Sequence, residues 1–94
     1  MELLRKAVQG RVNGRVQGVG YRYYAQDAAW SLGLSGWVRN TADRSVEFFA
    51  QGYEDDLKTF VDRLRQGPPM ARVQDVVCTD EPFSDSIREF EIRH

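Results

Sequence analysis

At 94 residues with 41% hydrophobic content, the chain suits one small globular domain over residues 1-94, with apolar area for a single core and little to spare. A formal net charge of −1 and a pI of about 5.8 exclude the global basic field that draws proteins to nucleic acid. Cys78 is the only cysteine and His94 the only histidine, which excludes an internal disulfide and a zinc-type ligand set.

No apolar run approaches membrane-spanning length, and Met1 to Lys6 lacks the long apolar core of a signal peptide, so a cytoplasmic location is expected. From Ala7 to Asn13 a period of two sets Val8, Gly10 and Val12 against Gln9, Arg11 and Asn13, the pattern of a half-buried strand. The period then changes. Tyr21, Tyr24, Ala25, Ala28, Ala29 and Leu32 recur at helical spacing, and Gly33 is placed to end that helix as a left-handed cap. Tyr23 and Trp30 flank the stripe and are expected to be partly buried at its edge.

Ser35 to Asn40 and Val46 to Ala50 read as two strands of a hairpin closed by Thr41 to Ser45. Asn40 can close its strand by bonding into that turn. Beyond Gly52, the acids Glu54, Asp55 and Asp56 precede Leu57, Phe60, Val61 and Leu64, with Arg63 and Arg65 in the last turn and Gly67-Pro68-Pro69 beyond. This is a helix whose charges complement its dipole. Arg72 to Thr79 is expected to be a strand with Cys78 as a small core residue. A polar loop from Asp80 to Ser86 leads to Glu89 to Arg93, whose alternation predicts a last short strand with Phe90 and Ile92 buried.

The order of elements is that of an α+β ferredoxin-like sandwich, βαββαβ, with two helices packed on one face of an antiparallel sheet and a short C-terminal strand. Right-handed crossovers make the first and third strands central neighbours. Asn40 is thereby carried to the end of the sheet where the first strand meets the first helix. Many unrelated activities share this fold, so function must come from a site.

The stretch Gly14-Arg15-Val16-Gln17-Gly18-Val19-Gly20-Tyr21-Arg22 is the candidate site. Three glycines permit positive φ and close approach of a ligand, consecutive N–H groups form a nest for negative charge, and the helix entrance adds unpaired donors. Arg22 supplies a planar, always charged fork for phosphate oxygens. On spacing alone, the same glycines serve equally well as a plain strand-to-helix corner. The stretch is neither a Walker loop nor a dinucleotide-binding G-x-G-x-x-G.

Read together with Gly33-Leu34-Ser35-Gly36-Trp37-Val38-Arg39-Asn40, this stretch closely resembles the acylphosphatases. The likeness continues through Asp43 to Glu47, Gly67-Pro68-Pro69, Ala71-Arg72-Val73 and Phe90-Glu91-Ile92-Arg93, which is nearly the whole chain. The resemblance implies hydrolysis of acyl phosphates to a carboxylate and inorganic phosphate, with no metal or other cofactor. It makes Arg22 the phosphate-binding arginine, Asn40 the water-orienting residue, and the backbone of Gln17, Gly18, Val19, Gly20 and Tyr21 the phosphate loop. The expected partner is a small acyl phosphate, with no nucleic acid or membrane partner, and the expected state is a monomer.

Two positions depart from the family pattern. Tyr21 stands where phenylalanine is frequent and brings a hydroxyl that needs a partner if buried. Arg44 stands where glycine is common, so a turn with positive φ would strain it. A nucleic-acid-binding module with an exposed aromatic sheet, and an anion-sensing domain without catalysis, are the other functional classes open to this fold.

Overall fold

The structure, a computed structural model, describes residues 4–94, so Met1 to Leu3, part of the stretch read for an export signal, lie outside the described residues. Strand β1 is Arg5–Arg15, helix α1 Tyr21–Ser31, strand β2 Ser35–Asn40, strand β3 Val46–Tyr53, helix α2 Glu54–Gln66, strand β4 Arg72–Glu81 and strand β5 Phe90–Arg93. The sheet order is β4-β1-β3-β2-β5, so β1 and β3 are the expected central neighbours. All pairings are antiparallel except β2 with β5, which makes the sheet mixed.

Alternation divides the sheet into two faces. Val12, Val38, Val46, Phe48 and Phe90 lie buried together with Ala25, Ala28 and Ala29 of α1 and Leu57, Phe60 and Leu64 of α2. Phe48, Phe60 and Phe90 stack edge to face, with centroids 6.0 and 5.8 Å apart, and link the sheet centre through α2 to β5. Each such ring contributes about 1.5–3 kcal/mol through burial. The helix-end signals are used as their chemistry suggests: Gly33 and Gly67 take φ of 68° and 69°, and three acids occupy the first turn of α2.

Because β4 and β5 occupy opposite edges, residues 82–89 must cross the sheet, and they do so over the face without helices. Gln51, buried on that face, holds the crossing. Its Nε2 donates to the carbonyl oxygens of Ser84 at 2.7 Å and Ile87 at 3.0 Å, while its Oε1 accepts from the Ser84 N–H at 2.9 Å. The amide is fully paired, as a buried polar group must be.

Three expectations about burial need correction. Cys78 is exposed, because it sits on the edge strand β4 where α2 leaves a groove uncovered. Tyr23 and Trp30 are 69% and 59% accessible, since the small alanine face of α1 draws the helix close to the sheet and its flanks stay in solvent. Trp30 still works at its tip: Nε1 donates to the Phe90 carbonyl at 3.2 Å and helps pin β5 to α1. Ile92 is only half-buried at the outer edge.

Candidate active site

The connection from β1 to α1 is shaped by its ends. At Gly14 (φ 127°) the pairing with β4 slips by one residue, and a Cβ there would overlap the Arg72 carbonyl oxygen. Val16 is buried and anchors the chain as it leaves the sheet, and Val19 packs against the core midway through the loop. Gly18 and Gly20 take φ of 73° and 76° with nothing within 4 Å of a notional Cβ. Glycine is favoured here by backbone conformation, with space to spare.

Gly20 is the N-cap of α1, no side chain caps the helix, and its first turn carries no acid. The first intrahelical bond is from the Tyr24 N–H to the Gly20 carbonyl at 3.0 Å, so the preceding N–H groups lie at the positive end of the dipole without a helical partner. In α2 three acids fill that position. Tyr21 fixes the start of α1 from below: its ring is buried and its hydroxyl donates to the Leu64 carbonyl at 2.7 Å, which answers the need raised by the extra oxygen. Burial pushes the Tyr21 phenol well above its ordinary pKa, so it stays a donor.

Gln17 ties this loop to the hairpin. Its Nε2 donates to the carbonyl oxygens of Thr41 and Ser45, both at 2.8 Å. The same turn is closed by the Thr41 N–H on the Ser45 carbonyl at 2.9 Å, and Arg44 within it takes φ 70°, the strained conformation anticipated for a non-glycine residue. Asp43 accepts from the Thr41 hydroxyl and pairs with Arg11; the Thr41 bond above all holds its carboxyl below the ordinary carboxylate range. The sequence offers Gln17 only as a backbone donor, so its side-chain role is visible only once the hairpin is placed beside it.

Asn40, the last residue of β2, is half-buried, and its Oδ1 is fully buried with no hydrogen-bond partner among the described residues. An acceptor left in that state costs about 1–3 kcal/mol. Arg22, half-buried in the first turn of α1, places Nη1 3.3 Å from His94 Nδ1 and has no carboxylate partner among the described residues. Arg39 is in register with Arg93, so the parallel run of β5 brings His94 alongside Asn40. The loop, Arg22 and Asn40 therefore lie at one end of the sheet, with Gln17 bonded to the turn after Asn40 and His94 in contact with Arg22. No group of three metal-ligating side chains occurs among the described residues.

This arrangement offers an unclaimed helix entrance, one guanidinium and one free amide oxygen, which suits a tetrahedral anion with a hydrogen-bonded water beside it. Residues 8–92 match the family profile described as Acylphosphatase. The chain is 42% identical to an acylphosphatase of Bacillus licheniformis over 83 residues, 88% of this chain and 92% of that one. An acylphosphatase of Rhizobium etli is 41% identical over 87 residues, covering 93% of each. A crystal structure of acylphosphatase from Bacillus subtilis superposes with a TM-score of 0.91 at 37% identity, covering 95% of this chain and 99% of that one.

Proposed function

The chain belongs to the acylphosphatase family, and from that premise we propose that it hydrolyses the mixed anhydride of a carboxylic acid and phosphate, using Gln17 to Tyr21, Arg22 and Asn40. The backbone N–H groups of the loop and the entrance of α1 hold the phosphoryl oxygens, and Arg22 spans two of them. Charge on those oxygens is met by donors that are already oriented, which is the main requirement of phosphoryl transfer.

Asn40 Oδ1 accepts a hydrogen bond from the attacking water and sets it in line with the bond to be broken. Water oxygen bonds to phosphorus, the bond from phosphorus to the bridging oxygen breaks, and its electron pair leaves on the carboxylate. That leaving group has a solution pKa of about 4, so no general acid is needed. An amide is no base. The water proton passes to a phosphoryl oxygen, giving carboxylate and dihydrogen phosphate.

The observation that carries this reading is the buried, unpartnered Oδ1 of Asn40 at the same end of the sheet as an uncapped helix entrance. Benzoyl phosphate in the presence of EDTA tests it. The expected result is turnover that is abolished in Arg22→Ala together with phosphate binding. Asn40→Ala is expected to lose turnover while still binding phosphate. A folded Arg22→Ala protein with full activity would overturn the assignment.

A further inference from the structure

A second feature borders the loop. A concavity of about 670 Å³ is lined by Gly14, Arg15, Val16, Gln17, Arg44, Arg72 and Gln74. Three of these seven residues are arginines and none is acidic, in a chain whose net charge is −1. Arg15, Arg44 and Arg72 make no ion pair among the described residues; Arg5, Arg22, Arg63 and Arg88 make none either, so what sets these three apart is that they line one hollow.

The folding of the chain does not favour this grouping. Arg15 and Arg72 are direct cross-strand partners of β1 and β4, where like charges repel. Arg44 is held at φ 70°, where a side chain is strained and glycine would not be. Three unneutralised guanidinium groups around one hollow, two of them opposed across the strands, are what an anion would relieve.

The hollow and the phosphate loop share a wall. Gln17 is the first residue of the loop and also lines the hollow, and two residues of chain, at most about 7 Å between Cα atoms, separate it from Arg15. The geometry points to a second anion subsite, in which Arg15, Arg44 and Arg72 receive a negatively charged group on the acyl part of the substrate, a carboxylate or a second phosphate. The preferred substrates are then acyl phosphates carrying a second anion on the acyl group, within the reach set by this short chain segment and an arginine side chain. This rests on the reading of Gln17 to Arg22 as the phosphate site. Arginine suits the task, because its fork pairs with either oxyanion in two-point contact.

Two non-hydrolysable probes separate the subsite from the catalytic reading: benzylphosphonate, and the same molecule with a para carboxylate, titrated calorimetrically against the full chain. The carboxylated probe is expected to bind about tenfold more tightly, with the preference reduced at least threefold in Arg15→Gln and Arg72→Gln and by raising salt from 50 to 500 mM. Affinity for benzylphosphonate itself is expected to be unchanged in both variants. Equal affinity of the wild-type chain for the two probes would overturn the subsite, as would an equal loss for both probes in the variants. If the preference is present but benzoyl phosphate is not hydrolysed, the subsite stands and the hydrolase reading falls.

Discussion

Gln17 Nε2 lies 2.8 Å from the carbonyl oxygen of Thr41, the residue after Asn40, and an equal distance from that of Ser45. One side-chain amide thus spends both of its protons joining the proposed phosphate loop to the turn that follows Asn40. Precise placement is what a site without an acid or base must supply, since orientation provides much of its rate. Gln17→Ala leaves two part-buried carbonyls without these donors. We expect a loss of about 1–3 kcal/mol in stability and a fall in kcat for benzoyl phosphate of at least tenfold, while Gln17→Glu, which sets a carboxylate against two carbonyl oxygens, falls further. Steady-state kinetics with urea unfolding checks this, and an unchanged kcat in Gln17→Ala would show that the tie does not aim Asn40.

His94 does for Arg22 what Gln17 does for the loop. The 3.3 Å contact between Nη1 and Nδ1 steadies a guanidinium that no carboxylate among the described residues holds or neutralises. Fixing a flexible side chain on binding costs about 0.5–1.5 kcal/mol. His94→Ala is therefore expected to raise KM for benzoyl phosphate about two- to tenfold with kcat nearly unchanged. A drop in kcat at constant KM would instead place His94 in the chemical step.

Most of this fold could be read from periodicity and punctuation. The change from period two to helical spacing at Tyr21, the acids and glycine that bracket α2, and the alternation of Glu89 to Arg93 each have a local cause. Burial at the edges was not legible, because it depends on sheet order. Cys78 looks like a core residue until β4 proves to be an outer strand, and nothing in the sequence marks Gln51 for burial under the crossing of residues 82–89. The site divides in the same way. Its glycines, Arg22 and Asn40 carry a signature, whereas Gln17, His94 and the trio of arginines act through contacts formed between residues 24 to 72 positions apart, or through pairing across strands.

Asp43 gives the turn a pH dependence whose sign can be worked out. Its carboxyl is held below the unfolded range, chiefly by the Thr41 hydroxyl, with further help from the Ser45 N–H and Arg11. A depressed folded pKa contributes stability that is complete above the unfolded pKa of about 3.9 and is lost as pH falls through the folded value. Melting temperatures measured from pH 7 down to pH 2.5 are expected to decline more steeply below pH 4 in the wild-type chain than in Asp43→Asn. Parallel curves for the two proteins would mean that Asp43 contributes nothing to the acid limb.

Arg44 sets stability against the proposed subsite within one residue. Left-handed backbone costs a side-chain-bearing residue about 1–2 kcal/mol, and glycine escapes that cost but adds freedom to the unfolded chain worth about 0.5–1 kcal/mol. Arg44→Gly is therefore expected to stabilise the protein by about 0.5–1 kcal/mol, a rise of about 2–8 °C in Tm for a domain of this size. It also removes one of three charges around the hollow. The variant is expected to melt higher in scanning calorimetry while its preference for the carboxylated phosphonate over benzylphosphonate shrinks. A stabilised protein with the full preference would show that Arg44 only bears strain, and a destabilised one that the arginine side chain supports the turn through its contacts.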